Sequence, residues 1–79
     1  MSPEQIAAQI AADYQAVRIL PDGSVAAVGR LLFTTAIYLG CTPWGYDSRF
    51  CFENRSLALK RFNELQSEDD VPQGYIARR

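Results

Sequence analysis

The stretch from Leu31 to Leu39 constrains the fold more than any other part of the chain, because it is apolar on both sides. As a β-strand it would turn one set of side chains to one face, namely Leu31, Phe33, Ile37 and Leu39. The other face would carry Leu32, Thr34, Ala36 and Tyr38. Gly29 weakens a helix, and the run from Phe33 to Tyr38 favours a strand, so we predict a single strand from Ser24 to Gly40, bent near Gly29. The alternative is a helix that buries Val25, Val28, Leu32 and Leu39.

The length of the chain limits how much surface it can bury. Its 79 residues hold one core, so we expect a single domain over residues 1–79. A chain of this size buries only about 60–65% of its unfolded surface, which leaves a small stability margin. An apolar fraction of 48% with 22% charged residues argues against disorder.

The segments before Ser24 carry clear start and turn signals. Ser2 is a good N-cap, Pro3 suits the first helical position, and Gln5 completes a capping box, so a helix begins here. Apolar residues then recur at helical spacing, at Ile6, Ile10, Tyr14 and Val17. We predict a short strand from Ala16 to Leu20, followed by a turn at residues 21–23 (Pro-Asp-Gly).

The second half predicts a loop, a strand, a helix and a last strand. The loop from Gly40 to Asp47 carries Trp44 and Tyr46, and residues 49–53 alternate as a strand. Asn54 caps a helix over residues 55–66 that buries Ala58, Phe62 and Leu65. After a turn at Pro72 and Gly74, residues 75–77 form a last strand. The order α-β-β-β-α-β predicts an α+β domain, with three or four mostly antiparallel strands and both helices on one face.

Helices on one face would leave the apolar second face of the sheet open to a partner. We therefore predict a partner-binding surface made of Leu32, Ala36, Tyr38, Trp44, Tyr46 and Arg49. A protein is the expected partner, and a second copy of the chain could pair through Leu32, Ala36 and Tyr38.

The residues offer little for catalysis. The chain has no histidine, which excludes His-based acid–base catalysis, nucleophile activation by histidine and His metal sites. Cys41 and Cys51 are too few for a zinc site and lack redox spacing, so we expect buried free thiols, with a disulfide or a functional thiol as the alternatives. Asp47 and Arg49 are interpreted as a surface ion pair, with a small ligand-binding or acid–base cluster that includes Glu53 as the alternative. We predict no enzyme activity, no cofactor and no metal.

Charge and hydropathy bear on location and on other partners. The net charge is −1, and scattered cations disfavour nucleic-acid binding. The acidic run Glu68–Asp70 is interpreted as a solvated loop, with phosphate mimicry as the alternative. Residues 31–41 are too short to span a bilayer, and residues 2–16 lack a basic leader. We therefore expect a cytoplasmic protein, away from membranes.

Residues 30–79 resemble a group of small bacteriophage and prophage proteins. The shared pattern is the Phe33-Thr34-Thr35-Ala36 strand, the Gly45-Tyr46-Asp47-Ser48-Arg49-Phe50-Cys51-Phe52 strand, a helix, and Pro72-Gln73-Gly74-Tyr75-Ile76. Leu65 and the acidic run depart from the tryptophan and Gly-rich turn of that group. The resemblance implies a phage-encoded accessory protein of the host cell cytoplasm. It would bind a host or phage protein, for example as an inhibitor of a host enzyme or defence system. The alternative is a module for single-stranded nucleic acid that stacks bases on Tyr38, Trp44, Tyr46 or Tyr75.

Overall fold

The computed structural model describes residues 2–76 and confirms an α+β domain with two helices and an antiparallel sheet. The elements are α1 (Pro3–Ile10), a 3₁₀ turn (Ala11–Asp13), β1 (Ala16–Ile19), β2 (Val25–Arg30), β3 (Thr35–Leu39), β4 (Ser48–Phe52) and α2 (Arg55–Glu64). The four strands follow their chain order across the sheet, and each pairs antiparallel with the next. The order is therefore α-β-β-β-β-α.

The predicted single strand from Ser24 to Gly40 is two strands, β2 and β3, joined by a tight hairpin. The Leu31 amide donates to the Thr34 carbonyl oxygen at 2.8 Å, which leaves Leu32 and Phe33 at the tip. Tight hairpin turns favour Gly, Asn or Asp, and neither tip residue is one of these. The chain therefore reverses direction where the sequence carries no turn signal.

The predicted last strand is also wrong for the residues that the structure describes. Tyr75 and Ile76 belong to no strand, although the Ile76 amide donates to the Cys51 carbonyl oxygen at 2.7 Å. Ala77 lies outside the described residues. One backbone hydrogen bond to the edge strand β4 is not enough to form a further β-strand.

The local start and turn signals are confirmed. Ser2 and Gln5 form a reciprocal capping box, and the Asn54 side chain accepts from the Leu57 amide to begin α2. The β1–β2 turn places Gly23 at a φ of 86°, which glycine adopts without a Cβ clash. The first helix is shorter than its periodicity suggests, because the backbone at Tyr14 is already extended (φ −132°, ψ 159°).

The two helices lie on opposite faces of the sheet, which corrects the prediction that both cover one face. Alternation along β2 sends Val25 and Ala27 toward α1, whereas Ala26 and Val28 point toward α2. The core on the α1 side holds Ile10, Val25, Ala27, Ala36, Tyr38 and Cys41. The core on the α2 side holds Leu20, Ala26, Val28, Ile37, Leu39, Phe52, Ala58, Phe62 and Leu65.

The two ends of the sheet carry different segments. Arg30 lies opposite Thr35, and Thr35 opposite Phe52, so the β2–β3 hairpin and the start of α2 share one end. Leu39 lies opposite Ser48, so the β3–β4 loop is at the other end. Within residues 2–76, no helix is long and apolar enough to cross a bilayer.

Candidate interaction surface

The strand face that we expected to be open is covered. Ala36 is fully buried and Tyr38 is only 8% exposed, because residues of the N-terminal segment, Tyr14 among them, pack over them. Leu32 is 87% exposed but belongs to the hairpin tip rather than to β3. The predicted set of six partner-binding residues therefore does not form one continuous surface.

Three tyrosines form a row across the α1 face of the sheet, which we call the tyrosine row (Tyr14, Tyr38 and Tyr46). Their ring centroids are 5.1 Å apart between Tyr14 and Tyr38, and 4.7 Å apart between Tyr38 and Tyr46. Tilted and edge-on contacts of this kind are favourable for aromatic pairs. Burial raises the pKa of the Tyr38 phenol above its ordinary value of 10.0, although the nearby Arg49 guanidinium acts in the opposite direction. The buried middle ring fixes the position of Tyr46, which is 44% exposed.

The loop of residues 40–47, here the Trp44 loop, holds its tryptophan in solvent. Thr42 and Gly45 exchange backbone hydrogen bonds of 2.8 and 3.3 Å, which closes a small turn with Pro43 and Trp44 at its tip. The Thr42 hydroxyl accepts from the Trp44 amide at 3.2 Å. Trp44 is 86% exposed, so the loop presents a large aromatic side chain on an ordered backbone.

Arg49 extends the surface of the tyrosine row and the Trp44 loop along the edge strand β4. It lies opposite Tyr38 in the β3–β4 register and is exposed. Among residues 2–76 the one ion pair is between Arg61 and Glu64. The predicted ion pair between Asp47 and Arg49 is therefore not formed. Four of the six predicted residues thus lie on or beside this surface, three of them accessible: Trp44, Tyr46 and Arg49.

A second exposed apolar feature, the hairpin tip (Leu32 and Phe33), lies at the opposite end of the sheet. Phe33 is 86% exposed, as much as Trp44, yet our sequence reasoning left it out of the site. The signal that could have identified it is a pair of large apolar residues in a turn, but the turn itself was not foreseen. Beside the tip lies an open groove of about 190 Å³.

The cysteines are free thiols that lie apart, with Cys41 buried as expected and Cys51 only half-buried. Cys51 pairs with Ala36 near one end of β3, whereas the Cys41 amide donates to Val25 beyond the other end. Burial raises the pKa of the Cys41 thiol to about 11, so it is protonated and a poor nucleophile at neutral pH. No group of three or more Cys, Asp or Glu residues within 2–76 could hold a metal ion.

Comparison with known proteins adds no assignment. No family model, curated protein or solved structure matches this chain. The geometry of the two ends of the sheet is therefore the basis for inferring a function.

Proposed function

We propose that this protein is a non-catalytic accessory module that binds a host or phage protein through Trp44, Tyr46 and Arg49. The observation that carries the proposal is the 86% exposure of Trp44 at the tip of a hydrogen-bonded turn. Tryptophan, tyrosine and arginine are the residue types most enriched at the energetic centres of protein interfaces. An inhibitor of a host enzyme or defence system is one form that such a module would take.

The order of the surface supports binding by pre-organisation. Trp44 has its backbone fixed by Thr42, and Tyr46 packs edge-on against the buried ring of Tyr38. Side chains that are already placed lose less conformational entropy when a partner binds. The surface can therefore present Tyr46 in a fixed position, and Trp44 on a fixed backbone, to a partner.

Trp44 and Phe33 give a matched pair of variants for testing the proposal. Both side chains are 86% exposed, and they lie at opposite ends of the sheet. A partner isolated with the immobilised protein should bind the Phe33→Ala variant as tightly as the unmodified chain. The Trp44→Ala variant should bind at least about thirtyfold more weakly, since such anchors contribute about 2 kcal/mol or more. Equal binding by both variants would refute the proposed surface.

The same tryptophan tests the nucleic-acid alternative, in which exposed aromatic rings stack on bases. Trp44 is the single tryptophan, so intrinsic fluorescence reports on this loop alone. Tyr38 is buried, whereas Trp44, Tyr46 and Tyr75 are exposed and could stack on bases. A salt-dependent quench on adding single-stranded DNA or RNA would favour that alternative, whereas flat titrations would favour a protein partner.

A further inference from the structure

The groove beside the hairpin tip is formed by three parts of the chain. The end of β2, the hairpin and the start of α2 meet there, on the α2 face of the sheet. Its lining residues are Arg30, Leu31, Leu32, Phe33, Thr34, Thr35, Glu53 and Arg55. At about 190 Å³ it is smaller than sites for drug-sized ligands, which run from about 300 to 1,000 Å³.

A nearly buried threonine lines this groove, and its hydroxyl has no hydrogen-bond partner among the described residues. Thr35 is only 4% exposed and lines the groove, yet no hydrogen bond joins its side chain to another residue within 2–76. Among these residues, every side-chain polar atom that is itself buried has a hydrogen-bond partner. The Thr35 hydroxyl has none, so it must be accessible from the groove. The hydroxyl can therefore donate a hydrogen bond to a ligand atom in the groove or accept one from it.

Two arginines converge on the same place. Arg30 lies directly opposite Thr35 in the β2–β3 register, so their side chains share the α2 face. Arg55 is the first residue of α2, and its recorded side-chain contact is a 3.4 Å hydrogen bond to Gln15. Neither arginine forms an ion pair with a carboxylate among residues 2–76.

The start of α2 adds a third source of positive potential. The first turn of this ten-residue helix contains no acidic residue, and the cation Arg55 occupies its first position. A helix N-terminus favours anions, and its first amides have no acceptor within the helix. The cation therefore lies where the helix itself attracts negative charge.

From this arrangement we propose that the groove binds a phosphate monoester. The ligand would accept hydrogen bonds from the Arg30 and Arg55 guanidinium groups and from the Thr35 hydroxyl, at the N-terminus of α2. The volume suits a phosphate group, and Phe33 stands beside it as an apolar surface for whatever carries the phosphate. Glu53 also lines the groove, and its negative charge repels an anion. It therefore limits the affinity of the groove for phosphate. This site is separate from the surface formed by Trp44, Tyr46 and Arg49 and does not depend on it.

The test is a titration of amide chemical shifts at constant ionic strength with inorganic phosphate, AMP and adenosine. We expect saturable shifts at residues 30–35 and 53–56 with phosphate and AMP, and none with adenosine. Arg30→Gln and Arg55→Gln should each weaken binding by about tenfold or more, the usual effect of losing a charged hydrogen bond. Glu53→Gln should tighten binding, because it removes the opposing charge.

The control is Arg49→Gln, which removes an exposed arginine at the distant β3–β4 end of the sheet. Its affinity for phosphate should equal that of the unmodified protein. Weakening equal to that of Arg30→Gln would show general charge attraction and overturn the site. Absence of saturable shifts with both phosphate and AMP would overturn it as well. Thr35→Val, checked for its native circular dichroism, should weaken binding without changing the net charge.

Discussion

The ring of Tyr38 lies over Gly29, with its Cε2 atom 3.0 Å from the position that a Cβ would occupy on Gly29. Tyr14 lies against the same backbone, 3.5 Å from that position. Because Gly29 has no side chain, the aromatic rings of the tyrosine row can settle onto strand β2. This contact links the N-terminal segment, β2 and β3 through a single position.

Gly29→Ala should therefore destabilise the protein, even though alanine is compatible with a strand. The new methyl group would force Tyr38 to move while Tyr14 and Tyr46 hold it on both sides. Overpacking of this kind costs about 1–3 kcal/mol, measured as a lower urea midpoint with an unchanged m-value. In the double variant with Tyr38→Leu, the two losses should be less than additive. Full additivity would show that the ring and the methyl group do not compete for space.

Tyr38→Glu should unfold the domain rather than separate two copies of it. The side chain is 8% exposed, so burying a carboxylate there would cost more free energy than the nearby Arg49 guanidinium could offset. Leu32→Glu lies at the exposed hairpin tip and should change the free energy of unfolding by no more than about 0.5 kcal/mol. Circular dichroism and light scattering distinguish the outcomes. If the unmodified protein is a dimer and Tyr38→Glu is a folded monomer, the result would contradict this prediction and support pairing of two copies through the β3 face.

Arg18→Gln should lower the free energy of unfolding by about 1.5–3 kcal/mol. The Arg18 guanidinium donates to the carbonyl oxygens of Phe62 and Leu65 at the end of α2, the latter at 3.3 Å, and lies 5.7 Å from the centre of the Phe62 ring. It therefore joins β1 to the negative end of the helix. Lys60→Gln removes an exposed charge from the same helix and should change stability by less than about 0.5 kcal/mol. Equal midpoints in urea for both variants would contradict this role.

The two thiols should differ sharply in reactivity. At pH 8 we expect one equivalent of a thiol reagent to react quickly in the folded protein, at half-buried Cys51, and a second only after unfolding. The reason is that Cys41 is 3% exposed and burial raises its pKa to about 11. Cys51→Ser should remove the fast phase. A fast phase that survives this substitution would show that Cys41 is accessible.

The raised pKa of the Cys41 thiol makes the stability of the protein depend on pH. The Cys41 thiol has a higher pKa in the folded protein than its ordinary value of 9.0, so the folded state binds more protons above pH 9. Its contribution to stability is complete below pH 9 and is lost as the pH rises toward 11. Urea midpoints should fall over that interval by less in Cys41→Ala than in the unmodified chain. Identical slopes would rule out a contribution from this thiol.

Sequence alone determined the features that depend on neighbouring residues. The capping box at Ser2, the Asn54 cap and the turn at Gly23 each rest on contacts within five residues, so local chemistry specifies them. Alternation within β4 and the apolar face of α2 were equally readable. The loop that carries Trp44 and Tyr46 followed from the Gly and Pro residues around them.

Only the tertiary structure decided how the apolar faces are covered. The pattern of residues 31–39 indicated a strand that is apolar on both sides. Ala36 and Tyr38 are buried because α1 packs on the sheet face opposite α2. The hairpin at Leu32 and Phe33 is set by pairing between β2 and β3, since its own residues do not favour a turn. The groove joins Arg30 to Arg55, 25 positions apart, and no local pattern could bring them together. Long-range pairing and the side on which a helix packs are properties of the whole core, so they become visible only when the chain has folded.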